Sequence, residues 1–199
     1  MLRFIGFYDY TVILTYLSLC SAVVGMTLAS QSRFTAAILC LVFSGVCDAF
    51  DGAVARTKKD RTEEEKAFGI QIDSLCDAVS FGVFPAVLCY HMGADGLLGT
   101  LCAVAYCLCA VIRLAFFNVM EEKRQQTEDG CNKYYRGLPV TSISMIFPAV
   151  YLLHPLFPEN LFIVILHIML ALVAFLFILD FSVKKINFSK LFSKNSIKQ

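Results

Sequence analysis

Asp48-Ala49-Phe50-Asp51-Gly52-Ala53-Val54-Ala55-Arg56 closes one apolar segment, and Gly69-Ile70-Gln71-Ile72-Asp73-Ser74-Leu75-Cys76-Asp77 opens the next. Between them runs a strongly charged connection, residues 57–68. Three positions separate Asp48 from Asp51 and four separate Asp73 from Asp77. On a helix those spacings put each pair on one face. The surroundings decide whether the helices are soluble or membrane-embedded, and they are apolar on both sides of the connection.

Working outward, apolar segments run at about 10–29, 34–54, 68–90, 97–119, 139–153 and 161–179. A bilayer crossing needs ~20 mainly apolar residues, so the expected fold class is an all-α integral membrane protein with six transmembrane helices. One membrane domain would occupy 1–199, ending in a basic tail at 180–199. The first segment is too long, and lacks the compact basic lead, for a cleavable signal. The fifth is the shortest, interrupted by Pro148 and ended by His154-Pro155; an uncharged stretch of that kind reads as a broken or tilted span. Across the 199 residues, 58% are hydrophobic, 17% are charged and the mean hydropathy is +0.68. That composition excludes a disordered chain and a polybasic nucleic-acid binder, so no nucleic-acid partner is expected.

The net charge of +1 conceals a strong asymmetry. With the amino terminus in the cytoplasm, fifteen of the seventeen Lys and Arg residues lie on the cytoplasmic side. Arg33 alone lies opposite, and Arg113 falls within the fourth span. The positive-inside bias therefore predicts both termini in the cytoplasm and a multi-pass protein of the cytoplasmic membrane. With no Trp in the chain, Tyr8, Tyr10, Tyr90, Tyr134 and Tyr135 are the expected interface anchors. The tail around Lys184-Lys185 reads as a topology anchor, or as a site for anionic bilayer lipids. Eight of the nine cysteines fall in or beside spans, where Cys acts as a small apolar residue. No Cys or His spacing matches a zinc or redox motif. His167 reads as a satisfied core histidine.

Asp48, Asp51, Asp73 and Asp77 stand apart from the other acids, because a charge inside a span costs from ~3 kcal/mol upward. The second span runs towards the cytoplasm and the third starts there, so all four carboxylates converge near one leaflet, in a site that faces the cytoplasm. Four clustered carboxylates repel one another unless a cation supplies opposite charge. Oxygen-only donors favour Mg²⁺ or Mn²⁺, with Ca²⁺ also admissible, over zinc. One or two such ions would suit the set, and two form the arrangement used in phosphoryl chemistry. Gly45, Gly52, Ala55 and Gly69 leave the neighbouring helix surfaces bare, for either a ligand or close helix packing. Arg56, at the membrane surface, is placed for a phosphate or serves as a topology charge.

The stretch Asp48-x-x-Asp51-Gly52-x-x-Ala55-Arg56 … Gly69-x-x-x-Asp73-x-x-x-Asp77 resembles the signature of the CDP-alcohol phosphotransferases, with eight fixed positions. These membrane enzymes displace CMP from a CDP-linked alcohol with a second alcohol. The chain departs from the pattern in its twelve residues between Arg56 and Gly69, a longer connection than the family's usual one. Asp73-Ser74-Leu75-Cys76-Asp77-Ala78-Val79-Ser80-Phe81-Gly82, Arg113-Leu114-Ala115-Phe116-Phe117-Asn118 and Arg136-Gly137-Leu138-Pro139 look most like the bacterial phosphatidylserine synthases of that family. The resemblance implies a six-span homodimer that uses CDP-diacylglycerol and L-serine. It implies that the four aspartates are metal ligands, that Asp77 is also the catalytic base, and that Gly52, Ala55, Arg56 and Gly69 line the CDP-lipid site.

For serine, Arg113 is the first candidate, since a cation in an apolar span needs a partner and a carboxylate suits it bidentately. Snorkelling, or pairing with an acid of the chain, would explain Arg113 equally well. Asn118, Gly137 and Pro139 are further candidates for the same pocket. The signature does not distinguish acceptors, so glycerol 3-phosphate or an inositol phosphate is the alternative to serine. A cation- or proton-coupled transporter is the alternative from another class. It would need polar groups across the bilayer depth or a repeat with broken helices, and neither is visible.

Overall fold

A computed structural model of the chain describes residues 6–58, 60–126 and 134–184. A 3-10 turn, Tyr10–Val12, leads into α1 (Ile13–Ser30); the Asp9 carboxylate caps it, accepting from the Thr11 backbone N–H at 3.2 Å. α2 (Phe34–Ala55) returns alongside α1. Small polar residues mark the crossing: Ser44 Oγ donates to the Ser18 carbonyl at 3.0 Å, and Ser18 Oγ to the Ser44 carbonyl at 3.4 Å. Such residues let helices approach closely while satisfying their own hydroxyls on the facing backbone.

α3 (Glu63–Asp77) begins five residues before the expected start at Phe68, and local chemistry explains the difference. Thr62 Oγ1 accepts from the Glu65 N–H at 3.1 Å, and the Glu65 carboxylate accepts from the Thr62 N–H at 2.9 Å. This reciprocal capping box, with Glu63, Glu64 and Glu65 at the positive end of the helix dipole, starts the helix in water before the apolar residues begin.

A π-helical turn, Ala78–Val83, carries α3 directly into α4 (Phe84–His91), so one helical span extends from Glu63 to His91. Pro85 lies inside this span and has no N–H for the Phe81 carbonyl four residues earlier. Tyr106 of α5 (Gly96–Gln126) supplies the missing donor: its hydroxyl donates to that carbonyl at 2.7 Å, from a fully buried position. α6 (Ile143–Tyr151) and α7 (Glu159–Ile178) follow.

Among the described residues, five helical segments are long and apolar enough to cross a membrane: Tyr10–Ser30, Phe34–Ala55, Glu63–His91, Gly96–Glu122 and Glu159–Ile178. The sixth expected span, 139–153, is a shorter apolar helical segment, Val140–Leu156, with 3-10 turns at both ends of α6. Pro148 within α6 and Pro155 after it explain the irregularity.

The chain is not purely helical. β1 (Tyr134–Arg136) pairs antiparallel with β2 (Ser182–Lys184), with Tyr135 opposite Val183. Gly137 extends the ladder, donating to the Phe181 carbonyl at 2.7 Å from a φ of +71° that favours glycine. Sequence pattern gave no warning of it, because three-residue strands carry no readable period. The remainder of the basic tail, from residue 185, lies outside the described residues, as do Arg3, Lys59 and Cys131.

The core runs between the helices through Leu41, Phe81, Phe84, Tyr106, Phe147 and Phe177, all at most 1% exposed. Around the outside, Leu39, Leu97 and Met145 are 64%, 79% and 78% exposed. Apolar side chains pointing outward in this way are what a lipid-facing surface requires.

Candidate functional site

Asp48 and Asp51 lie near the end of α2, and Asp73 and Asp77 in the second half of α3. The helices bring Asp48, Asp73 and Asp77 together: each offers a carboxylate oxygen within 4.8 Å of the other two. Asp77 is buried, at 8% exposure, and Asp48 and Asp73 are half-buried. The carboxyl groups meet in pairs across the helices, Asp48 with Asp77 and Asp51 with Asp73. Bare carboxylates in such contact repel, so a proton or a cation must lie between them.

Asp51 stands one step aside from the other three. Its Oδ2 accepts from Thr15 Oγ1 of α1 at 3.3 Å, and it lines a cavity that opens beside the cluster. That cavity, about 170 Å³, is bordered by Thr15, Asp51, Gly52, Ala55, Gly69 and Asp73, together with Arg61. Gly52 is open: a Cβ there would meet nothing nearer than Arg56 Nη1 at 4.0 Å. Gly69 is bare for a different reason, since a Cβ would lie 2.5 Å from Arg61 Nη2. Gly45 belongs to packing alone. A Cβ at Gly45 would come within 2.2 Å of Ser144 Oγ on α6, so the bare face expected there is filled by a neighbouring helix.

A divalent cation of the hard, oxygen-seeking type fits this donor set. Asp73 Oδ1 is buried and has no hydrogen-bond partner among the described residues, and an orphaned carboxylate oxygen of that kind is suited to coordinate a cation. Asp48, Asp73 and Asp77 supply three carboxylates, and Asp51 is positioned to supply a fourth from the cavity side.

The remaining expected site residues divide. Arg56 is exposed and does not border the cavity, whereas Arg61, in the charged connection whose length departs from the family pattern, does. Asn118 docks α5 against the acid-bearing helix, its Oδ1 accepting from Ser74 Oγ at 2.7 Å, next to Asp73. Arg113 is 9% exposed and donates through Nε to the Leu138 carbonyl at 3.3 Å. It borders a second recess with Ile112, Phe116, Phe177 and Asp180, and Asp180 is near enough to attract its charge. Gly137 closes on Arg113, with a Cβ position 3.5 Å from its Cζ, while Pro139 is exposed. The Arg113 recess and the Asp51 cavity share no lining residue. His167 differs from expectation: Nδ1 meets the Ile163 carbonyl at 2.8 Å, but Nε2 is buried without a partner among the described residues.

Outside the membrane, the entrance is tied to the amino-terminal segment. Lys58 forms ion pairs with Asp9 and, at 3.2 Å, with Glu65, and Tyr10 hydrogen-bonds Thr57 at 3.1 Å. The Lys58 ammonium holds the Asp9 carboxyl below its ordinary range, and the two carboxylates raise Lys58. Phe7 packs edge-on to Phe68, with centroids 5.5 Å apart.

Comparison with known proteins agrees with the signature. A CDP-alcohol phosphatidyltransferase family model matches residues 10–182. A CDP-diacylglycerol--serine O-phosphatidyltransferase of Mycobacterium bovis is 31% identical over 136 residues, 67% of this chain and 46% of that protein. The protein of the same name from Bacillus subtilis is 32% identical over 56% of this chain and 62% of its own length. An archaetidylserine synthase of Methanothermobacter thermautotrophicus is 30% identical over 70% of this chain and 56% of its own. The chain thus spans about half the length of the curated relatives it matches. With Asp51, Gly52, Ala55, Gly69 and Asp73 bordering one cavity, Asp48 and Asp77 clustered with Asp73, and the family match covering residues 10–182, this chain belongs to the CDP-alcohol phosphatidyltransferase family.

Proposed function

We propose that the protein transfers the phosphatidyl group of CDP-diacylglycerol to the hydroxyl of L-serine, forming phosphatidylserine and releasing CMP. The observation that carries this reading is the Asp48, Asp73 and Asp77 cluster beside a cavity lined by Asp51, Gly52, Ala55 and Gly69. The names of the relatives support serine over glycerol 3-phosphate or an inositol phosphate. The acyl chains lie in the bilayer and the cytidine diphosphate enters the cavity beside Gly52, Ala55 and Gly69. Divalent ions, Mg²⁺ or Mn²⁺ held by the four aspartates, supply charge neutralisation at the diphosphate when bound.

Asp77 accepts the proton of the serine hydroxyl, which is too weak a nucleophile without a positioned base. The serine oxygen forms its bond to the phosphorus next to the lipid as the phosphorus–oxygen bond to CMP breaks, and the electron pair leaves with CMP. Arg113 is suited to the serine carboxylate, for which Asp180 would stand in when serine is absent. Asn118 fixes the acid-bearing helix against α5 beside it. The working arrangement is a homodimer in the cytoplasmic membrane with six crossings, both termini and the site facing the cytoplasm.

The test is acceptor-dependent release of CMP from labelled CDP-diacylglycerol by the purified protein with Mn²⁺ or Mg²⁺. L-Serine should support release. Release only with glycerol 3-phosphate or an inositol phosphate would sink the serine assignment and keep the family chemistry.

A further inference from the structure

Arg61 stands immediately before the Thr62 cap of α3, in the connection that is longer than the family's usual one. Its position is set by Glu65 and Gly69 of α3. Nη2 donates to the Glu65 carbonyl at 3.0 Å. The Glu65 side chain is in turn held by the Thr62 N–H and by Lys58. Bare Gly69 gives the guanidinium room, since a Cβ there would occupy space 2.5 Å from Nη2. Held in this way, Arg61 forms part of the cavity wall with Asp51, Gly52, Ala55, Gly69 and Asp73.

The guanidinium is underused. Nε is buried with no hydrogen-bond partner, and no acid forms an ion pair with Arg61 among the described residues. Arginine carries five N–H donors in a planar fork that matches phosphate oxygens. The rest of the wall carries two carboxylates, Asp51 and Asp73, among small, apolar and hydroxyl side chains and no second cation, so without Arg61 its only charges would repel any anion that a metal did not neutralise. A group with negative charge at two adjacent centres, one for the metal side and one for the guanidinium, answers both demands. Arg56 is exposed and does not line the cavity.

We propose that Arg61, supplied by the lengthened connection, is the cationic ligand for the diphosphate of the CDP-linked substrate. The assignment rests on the transferase reading above and adds to it a residue outside the eight signature positions. An anionic lipid headgroup offers the same phosphate chemistry, so the test separates a nucleotide diphosphate from a bilayer surface.

The experiment is calorimetric binding of CDP, CMP and cytidine to Mn²⁺-loaded protein in uncharged detergent. Wild type should bind CDP more tightly than CMP. Arg61→Gln should weaken CDP by roughly 10- to 100-fold, the usual worth of charged hydrogen bonds, and leave cytidine unchanged, with Mn²⁺ binding retained as the sign of a folded site. Arg61→Lys, which keeps the charge but not the fork, should lose several-fold and gives the reading if Arg61→Gln does not fold. In turnover, the KM for CDP-diacylglycerol should rise while that for serine stays. Unchanged CDP affinity in both variants would overturn the proposal and leave the transferase reading intact. A loss seen only on vesicles of anionic lipid would overturn it in favour of a headgroup contact. Failure of wild type to bind CDP at all would instead remove the transferase reading.

Discussion

Asp73 Oδ1 is buried without a hydrogen-bond partner among the described residues, while the Asp73 carboxyl is also pressed against that of Asp51. Asp73→Asn keeps the shape but replaces one acceptor oxygen by an N–H₂ that no cation accepts. Mn²⁺ affinity, read by titration calorimetry, should fall at least ~10-fold, as expected when a charged ligand is removed. An unaltered affinity would take Asp73 out of the metal site. Asp77, the most buried of the four, is the proposed base. Asp77→Asn at saturating metal should cut turnover by about 10²–10⁴-fold, the range of general-base catalysis, with CDP binding largely kept. Retained turnover would remove that role. At the rim, Asp9 is held below its ordinary pKa chiefly by the hydrogen bond from Lys58. A depressed carboxyl contributes stability that is present above its unfolded value, about 3.9, and lost as the pH falls through the folded one. Asp9→Asn should therefore lower the Tm in detergent at pH 7, and the gap to wild type should close below about pH 4. A gap that persists in acid would mean that the ion pair is not what holds the entrance.

At the scale of elements, one helix contact explains why a small residue stands where it does. Gly45 packs α2 on α6, since a Cβ would lie 2.2 Å from Ser144 Oγ and 2.6 Å from Ser144 Cβ. Gly45→Ala should destabilise by about 1–3 kcal/mol, the usual cost of overpacking, in thermal unfolding in detergent. Ser144→Gly in the same chain should recover most of the loss; no recovery would place the strain elsewhere. The sequence could not tell Gly45 from Gly52, because both are small residues on a helix that also bears aspartates. Only the third dimension separates a glycine under a neighbour from one beside a cavity. The positions of the four aspartates were legible for the opposite reason: a charge in a span is costly wherever the chain goes, and helical spacing fixes the face. Arg61 was hidden because it sits among other charges in a loop, where only burial of Nε distinguishes it. α3 starts ahead of the apolar residues from Phe68 because the Thr62–Glu65 capping box, a polar signal that apolarity does not carry, sets its first turn.

For the whole molecule, the two short strands carry a topological consequence. β1 precedes α6 and β2 follows α7, and the two are hydrogen-bonded to each other. Paired strands must lie on the same side of the bilayer, so the chain between them crosses an even number of times. α7 is long enough to cross; if it does, the shorter Val140–Leu156 segment is predicted to cross as well. At 1.5 Å per residue a segment of that length reaches about 25 Å, slightly less than the ~30 Å hydrocarbon core, a mismatch that local thinning and the flanking turns absorb. Charge sets the orientation, because fifteen of seventeen Lys and Arg residues fall on one side of a six-crossing arrangement. Single cysteines placed at Asp60, Asp95 and Glu159 in a Cys131→Ser chain, probed with a membrane-impermeant maleimide on intact cells, read this directly. Asp95→Cys and Glu159→Cys should label from outside, and Asp60→Cys only after permeabilisation. If Glu159→Cys labels only after permeabilisation while Asp95→Cys labels outside, the short segment does not cross. The strands could then not remain paired with α7 spanning the membrane.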